Sequence, residues 1–366
     1  MDQPEPERTL LKDIFSAAKI RGIARHVSAV HPEFEAKRFL RIALAELDEL
    51  SLMQRMRRLS VALRETLPAD YRKAVSVLRA LTPRLEGFAA LLAPDFVGQY
   101  GLSHFAFSMD ALAFFTGFGS SEFGVREYLR ADPSRALEIM NRWARDERPD
   151  VRRLASEGSR PRLPWSFQIE PLVADPNLAF PILETLRADD SVYVRKSVAN
   201  HLNDISKGHA SWLLDRLETW PREDARTAWI IKHALRSLIK RGDKRALTLV
   251  GAGHAPEVRV RAFVATPSAL QLGESIVLSG EVTSTSNTAQ RLAIDYAVHY
   301  VKKSGASSAK VFKLKLLELP PRATFVIRHK QRIQDFTTRV HYPGRHEVEL
   351  FINGERMART FFELRA

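Results

Sequence analysis

The feature that most constrains the fold of this chain is a repeated segment. Residues 151–157 have the sequence Val-Arg-Arg-Leu-Ala-Ser-Glu, and residues 194–200, 43 positions later, have the sequence Val-Arg-Lys-Ser-Val-Ala-Asn. Each copy follows an acidic turn, at residues 146–150 and 189–190. A period of about 40–47 residues with two helices per unit is typical of HEAT-like repeats, which stack into solenoids. The repeat therefore predicts an all-α HEAT-like solenoid.

Amphipathic helices are predicted on both sides of this repeat. Apolar residues at helical spacing indicate one helix from Phe34 to Leu52 and further helices over Met53–Leu67 and Tyr71–Leu81. A third repeat helix is expected over Thr227–Gly242, where the glycine suits a C-cap. The helical pattern thus covers most of the first 250 residues.

Around residue 256 the pattern changes to that of a β-protein. β-branched residues alternate with polar ones in seven or so short segments, and Asn353-Gly354 is a hairpin signal between two of them. Such strands within roughly 100 residues indicate an immunoglobulin-like sandwich. We therefore expect an all-α HEAT-like repeat solenoid over residues 1–255, followed by an all-β immunoglobulin-like sandwich domain over residues 256–366.

The composition favours a polyanionic partner. The net charge is +13, and nucleic acid is the first partner to consider for such a surplus, although an ordinary basic surface would explain it equally well. From residue 256 onward, 17 Lys and Arg stand against 10 Asp and Glu, so the sandwich is expected to assist DNA engagement. The absence of cysteine excludes disulfides, thiolate metal sites and cysteine nucleophiles. The histidines lack metal-ligand spacing, and we expect neither metal nor cofactor.

A membrane partner is not expected. No apolar run approaches the ~20 residues needed to cross a bilayer. Residues 1–7 are acidic and lack the pattern of a signal peptide. A membrane-surface protein would need a basic amphipathic helix with a strongly aromatic apolar face, and the sequence has none. We expect a cytoplasmic protein.

The second repeat helix, over residues 191–207, has two distinct faces. Val194, Val198, Leu202 and Ile205 share the apolar face. The opposite side carries Lys196, Asn200, Asn203 and Lys207. Asparagine is a poor helix former, so two of them argue against a face that is only solvated. Asp204 is expected at the edge between the faces, half sheltered and flanked by amides and cations.

This helix resembles the signature of the AlkC family of DNA alkylation-repair glycosylases, relatives of AlkD built from HEAT-like repeats. The resemblance is carried by residues 194–207, Val-Arg-Lys-Ser-Val-Ala-Asn-His-Leu-Asn-Asp-Ile-Ser-Lys, and is long, nearly gapless and specific. It extends to the Ser-Glu-Phe-x-Val-Arg segment at residues 121–126 and to the C-terminal sandwich. It implies an enzyme that removes alkylated bases from double-stranded DNA without full base flipping. We expect a monomer, because an open solenoid that grips a duplex needs only one copy.

The resemblance also implies roles for three side chains. By this resemblance Glu122 points into the DNA-binding cleft, Trp165 contacts the lesion nucleotide, and Arg153 is a cleft cation. From the residues alone, Glu122 could equally be an acid in the first turn of a helix capped by Ser120 or Ser121. Trp165, in a Pro-rich loop, could equally be a buried anchor.

The expected chemistry assigns Asp204 as the catalytic carboxylate, with Glu122 in support. A base such as 3-methyladenine is already cationic in DNA and leaves readily. A carboxylate would stabilise the oxocarbenium-like sugar that remains and orient the attacking water. No lysine nucleophile motif accompanies these acids, so a monofunctional glycosylase that leaves an abasic site is expected. Whether 3-methylcytosine is also a substrate is left open.

Further DNA contacts are expected from polar side chains on the repeat helices. These are Arg152, Arg195, Lys196, Asn200, Lys207, Lys232, Arg236 and Lys240. The alternative class is a non-enzymatic HEAT-repeat scaffold that binds nucleic acid. Because a carboxylate repels phosphate, a scaffold should bind DNA as well or better after Asp204→Asn, and acids in a basic cleft favour catalysis.

Overall fold

The structure, a computed structural model, describes residues 11–336 and 339–365. The acidic residues 1–7 lie outside these ranges. The described residues form sixteen α-helices and eight β-strands. Contacts divide the chain into two compact units, Met1–Gly208 and His209–Ala366.

The first unit contains twelve helices within the described residues. They are α1 Ala17–Val30, α2 Ala36–Ala43, α3 Leu52–Thr66, α4 Tyr71–Leu81, α5 Leu92–Tyr100, α6 Phe105–Phe115, α7 Val125–Ala131, α8 Pro133–Trp143, α9 Pro149–Gly158, α10 Glu170–Ala174, α11 Phe180–Thr185 and α12 Val192–Ile205. The repeated segments lie on α9 and α12, which pack against each other. Val151 and Val194, which are equivalent in the repeat, are both fully buried.

Two of the predicted helices are confirmed in this unit, and one is shorter than predicted. The helices expected over 53–67 and 71–81 are α3 and α4. The helix expected from Phe34 to Leu52 ends at Ala43. Glu46 adopts a left-handed φ of 51°, and Arg58 donates a hydrogen bond to the Ala45 carbonyl. A right-handed helix contains no left-handed residue, so α2 cannot continue through Glu46.

The second unit begins with four helices in its described part. They are α13 Ala210–Glu218, α14 Ala225–Ala234, α15 Arg236–Lys240 and α16 Lys244–Leu249. The single helix expected over Thr227–Gly242 is therefore wrong, because it is broken at Leu235. There the Arg236 guanidinium donates a hydrogen bond to the His233 carbonyl, which in a continuous helix would accept from a backbone N–H of the next turn. Gly242 has a φ of 73°, as a C-cap glycine requires.

The strands of the second unit form an immunoglobulin-like sandwich of two sheets. They are β1 Val258–Thr266, β2 Ala269–Leu270, β3 Ser275–Ser284, β4 Gln290–Val301, β5 Ser307–Leu319, β6 Thr324–Arg332, β7 Gly344–Ile352 and β8 Glu355–Leu364. One sheet has the order β1-β3-β6 and the other β2-β8-β7-β4-β5. The predicted Asn353-Gly354 hairpin joins β7 to β8, with φ angles of 49° and 78°.

Alternating apolar side chains fill the sandwich, and a second small core joins it to a helix. Ile276, Ile294 and Phe362 are fully buried in the sandwich. Leu247 of α16 packs with Ala293 of β4. The chain changes from helix to strand between residues 249 and 258. The boundary expected after residue 255 falls in this interval and stays a prediction. No helix in the described ranges is long and apolar enough to span a membrane.

Candidate active site

A non-helical loop between α9 and α10 exposes Trp165. The predicted irregular conformation of this Pro-rich segment is confirmed, and 66% of Trp165 is accessible to solvent. The buried-anchor alternative is therefore excluded. The backbone of Trp165 has a left-handed φ of 63°, a conformation that costs an L-residue about 1–2 kcal/mol. Strain of this kind persists only where the surrounding structure imposes it.

The arginine that holds this loop is Arg126 on α7. It is fully buried, and Nη1 donates hydrogen bonds to the carbonyls of Gly158, at 3.1 Å, and Arg160, at 2.6 Å. Nη2 donates to the carbonyl of Phe167, on the far side of Trp165. Burial, followed by repulsion from Arg160, lowers the pKa of Arg126 to about 10, so the side chain remains charged at neutral pH. Arg126 thus fixes both ends of the Trp165 loop.

Ion pairs of alternating sign connect α9, α12 and the turn before α7. This charge chain runs through Glu122, Arg153, Glu157, Arg160, Asp204 and Lys207. Three of its members are acids and three are bases, so the charges within it balance. Arg153 and Glu157 lie on α9, whereas Asp204 is near the end of α12. The charge chain therefore joins the two copies of the repeat.

Glu122 and Arg153 form the first link. Arg153 Nη1 lies 2.5 Å from Glu122 Oε2, and Ser120 Oγ donates to the same carboxylate oxygen at 2.7 Å. The Arg153 guanidinium also lies over the ring of Tyr193, 5.0 Å from its centroid. These contacts hold the Glu122 carboxylate in one position.

The helix-capping alternative for Glu122 is wrong. Helix α7 begins at Val125, so Glu122 lies in the turn before it and not in its first turn. Neither serine caps the helix through its side chain. Ser120 donates to Glu122, and Ser121 donates to the carbonyl of Leu112 at 2.7 Å.

Asp204 is more buried than expected. Only 2% of it is exposed, whereas the sequence predicts a half-sheltered group. The reason is Arg160, whose Nε and Nη2 both lie 2.8 Å from Asp204 Oδ2. Lys207 Nζ donates to the other oxygen at 2.9 Å. The predicted setting of cations around Asp204 is confirmed, but they contact the carboxylate directly.

A cleft of about 410 Å³ opens where these groups meet. We call it the Trp165 cleft; it is lined by Phe88, Leu91, Gly119, Ser120, Glu122, Phe123, Arg153, Glu157, Arg160, Leu163, Pro164, Trp165 and Tyr193. The structure thus brings together Glu122, Arg153 and Trp165, which are separated in the sequence. Asp204 contacts the cleft through Arg160.

Two of the expected DNA-binding arginines have structural contacts. Arg152 Nη1 donates to the carbonyls of residues 146 and 147, and Arg195 Nη1 donates to those of residues 189 and 190. These contacts are equivalent in the two repeats, because each arginine ties its helix to the acidic turn before it. Arg152 also forms an ion pair with Asp189. A role for either arginine in DNA binding stays a prediction.

The other expected DNA contacts differ in exposure. Lys196 on α12 and Lys207 just beyond its end are exposed, and Asn200 on α12 is half-buried. In the second unit, Lys232 and Arg236 are half-buried and Lys240 is exposed.

Trp229 on α14 is half-buried and stacks on His233, with the ring centroids 3.7 Å apart. His233 is thus a packing group, and so is His201. Burial lowers the pKa of His201 to about 4, which keeps it neutral beside Asp204.

Sequence analysis missed four side chains of this site: Arg126, Glu157, Arg160 and Tyr193. A signal for two of them was available, because Arg153, Glu157 and Arg160 follow one another at i, i+4 and i+7 with alternating charge. No such signal marks Arg126. Within residues 11–336 and 339–365, no group of three His, Asp or Glu side chains is placed to hold a metal ion.

Comparisons with known proteins agree with this fold. Residues 116–238 match a family model described as "DNA alkylation repair enzyme". Residues 259–366 match one described as "Uncharacterised protein YhaZ, C-terminal Ig-like domain". The chain is thus a HEAT-like protein of the DNA alkylation-repair class with a C-terminal immunoglobulin-like domain.

Two full-length relatives narrow this class to a family. The structure of the Pseudomonas fluorescens alkylpurine DNA glycosylase AlkC, bound to DNA containing an abasic site analog, is 52% identical. The match covers 97% of this chain and 99% of that one, with a TM-score of 0.94. The "Uncharacterized protein YhaZ" of Bacillus subtilis is 42% identical over 346 residues, 94% of this chain and 96% of that protein. The chain belongs to the AlkC family of DNA glycosylases.

Proposed function

We propose that this protein is a monofunctional alkylpurine DNA glycosylase that acts as a monomer on duplex DNA. It hydrolyses the N-glycosidic bond of cationic methylated bases and leaves an abasic site, the first step of base excision repair. Its first expected substrate is 3-methyladenine, with 3-methylcytosine as the second to test. The observation that carries this proposal is the arrangement of the Trp165 cleft, where the Glu122 carboxylate faces the same space as the exposed indole of Trp165.

The carboxylates act on the sugar and the water. When the C1′–N bond breaks, its electron pair goes to the base, which leaves neutral, and positive charge develops on the sugar. A fixed carboxylate stabilises that charge and accepts the proton that the attacking water loses. Glu122 lines the cleft and is held by Arg153. Asp204, the catalytic carboxylate in this proposal, reaches the sugar when Arg160 or Lys207 turns away toward DNA phosphate.

Trp165 and Arg153 hold the nucleotide. The exposed indole offers a face on which the lesion nucleotide stacks, and such contacts are worth about 1–3 kcal/mol per base. Arg153 binds the backbone of the lesion nucleotide. Because the Trp165 cleft is open to solvent along this loop, the lesion reaches the carboxylates without complete rotation out of the helix.

The decisive experiment is release of free methylated base from methylated duplex DNA. We expect wild type to release 3-methyladenine, and both Asp204→Asn and Glu122→Gln to lose about 10²-fold or more in single-turnover rate. Asp204→Asn is expected to have the larger effect. Glu170→Gln, an exposed acid on α10, is the matched control and should keep the wild-type rate. Circular dichroism and DNA binding measured on each variant separate catalysis from folding.

The scaffold alternative predicts the opposite pattern. A non-enzymatic scaffold would release no base and would bind DNA as well or better after Asp204→Asn, because an acid near phosphate has been removed. No release by wild type from DNA that carries several methylated bases would reject the glycosylase proposal.

A further inference from the structure

A second cavity, of about 270 Å³, adjoins Trp165. It is lined by Met53, Arg57, Asp95, Gly98, Phe123, Gly124, Glu127, Trp165, Ser166 and Phe167. Trp165 and Phe123 also line the Trp165 cleft, so these two rings are walls common to both spaces. The proposed chemistry uses only the cleft and leaves this second cavity without a role.

A buried carboxyl group is built into the second cavity. Asp95 is only 5% exposed. Its Oδ2 accepts hydrogen bonds from Ser60 Oγ at 2.5 Å and Gln99 Nε2 at 2.6 Å, and Arg57 Nη2 lies 3.0 Å from Oδ1. Burial raises the pKa of Asp95 above its usual value, although the hydrogen bonds from Ser60 and Gln99 and the charge of Arg57 act in the opposite direction. The carboxyl is thus fixed, and Oδ1 retains a lone pair for another donor.

The remaining polar groups of this cavity complement a flat amino heterocycle. Glu127 supplies a second carboxylate, which pairs with Arg130 at the surface. Arg57 supplies N–H donors. The aromatic walls supply faces for stacking. The volume lies just below the ~300–1,000 Å³ usual for ligand sites, which suits a single heterocycle better than a nucleotide.

We propose that the second cavity binds a nucleobase, and that its occupant is the methylated base after excision. This inference rests on the proposed glycosylase function. The released base is neutral and planar, with an exocyclic amino group that donates to Asp95 or Glu127 and ring nitrogens that accept from Arg57. A base that crosses from one side of the Trp165 indole to the other leaves the carboxylates of the cleft free for water.

The test is binding of free 3-methyladenine to the whole protein without DNA, measured by equilibrium dialysis with labelled base. We expect saturable binding to wild type. Ser166→Phe fills the second cavity from a position that does not line the cleft, and it should weaken binding by about tenfold or more. Glu127→Gln keeps the shape of the side chain and removes its charge, so it should weaken base binding too. This second variant tests the site if the phenylalanine of Ser166→Phe disturbs folding. Glu170→Gln, at an exposed acid that lines neither the second cavity nor the cleft, is the matched control and should bind the base as wild type does.

A second experiment, with duplex DNA, distinguishes binding of the free base from binding of a base that is still part of the duplex. Duplexes with 2-aminopurine beside or opposite an abasic site report an unstacked base by fluorescence. A signal that Ser166→Phe abolishes, without any binding of free 3-methyladenine, would assign the cavity to a base of the DNA and overturn the product assignment. No binding of either kind, or binding unchanged in both Ser166→Phe and Glu127→Gln, would overturn the site itself.

Failure of this inference is separable from failure of the proposed function. Base release from methylated DNA is measured on the same wild-type preparation. Release without binding of the free base would reject the second site alone. Absence of release would reject the glycosylase and, with it, the assignment of the occupant as an excised base.

Discussion

At the scale of single residues, Trp165 combines an exposed indole with a left-handed backbone. Its side chain is mostly exposed, and its backbone has a left-handed φ of 63°. Neither property stabilises the folded chain, because an exposed indole buries little area and the backbone conformation costs free energy. Residues of this kind cluster at functional sites. The exposure and backbone strain of Trp165 therefore favour a nucleotide contact, as the resemblance does.

Two substitutions separate the ring from the backbone strain. Trp165→Ala removes the indole and keeps the left-handed strain, whereas Trp165→Gly removes both. We expect Trp165→Gly to exceed Trp165→Ala by about 1 kcal/mol in free energy of unfolding, measured with urea. Both variants should lose about tenfold or more in base release, because the stacking contact is gone. Equal stabilities for the two variants would mean that the native φ carries no strain.

At the scale of elements, the sequence predicts the helices better than the connections. The apolar face of α12 is confirmed, since Val194, Val198 and Leu202 are fully buried, and period alone is sufficient to identify such a face. The breaks in two predicted helices were missed: α2 ends at Ala43, before the left-handed Glu46, and the helix over Thr227–Gly242 is broken at Leu235. The Ala45 carbonyl is taken by an arginine of the following helix, and nothing in the local sequence predicts that contact.

The candidate site shows the same limit. The acid at position 204 and its cationic setting follow from helical spacing, but its burial does not. That burial depends on Arg160, 44 residues earlier, whose guanidinium is brought to the carboxylate by the packing of α9 on α12. Local sequence reports which side chains share a face. It does not report which loop covers that face.

Substitution of Arg126 tests how strongly the conformation of the Trp165 loop depends on this one side chain. Arg126→Met removes three charge-assisted hydrogen bonds to the carbonyls of residues 158, 160 and 167 and leaves these carbonyls near an apolar group. We expect a loss of roughly 3 kcal/mol or more in free energy of unfolding. Hydrogen exchange should increase first in the loop over residues 159–169.

The control for this experiment is Arg142→Met on α8. Arg142 is exposed and forms an i,i+4 ion pair with Glu138. Such surface pairs are worth about 0.3–0.5 kcal/mol, so its substitution should have little effect. A loss for Arg126→Met no larger than the loss for the control would contradict the anchoring role.

At the scale of the whole molecule, the charge of +13 is not concentrated in the candidate site. The six members of the charge chain balance, so the surplus resides elsewhere, on exposed residues such as Lys196. The surplus charge that would attract a polyanion therefore lies outside the charge chain, although Arg153 and Lys207 of that chain are also expected to contact DNA. Salt should weaken binding to duplex DNA while leaving the buried ion pairs almost unscreened.

A salt titration measures the electrostatic attraction between the protein and duplex DNA. The logarithm of the DNA association constant should fall linearly with the logarithm of salt concentration, and Lys196→Gln should reduce the slope by about 1. Lys73→Gln, an exposed lysine on α4 outside the expected DNA-binding set, is the matched comparison and should leave the slope unchanged. Equal slopes for wild type and Lys196→Gln would remove Lys196 from the DNA-binding surface.

The two copies of the repeat contribute unlike parts to the charge chain. Arg153, Glu157 and Arg160 belong to the first copy, and Asp204 and Lys207 belong to the second. At the positions equivalent to Glu157 and Arg160, the second copy carries the neutral Asn200 and Asn203. The ion pair between Arg160 and Asp204 joins the copies. The charge chain therefore depends on the differences between the two copies, and two identical copies of the second one would not form it.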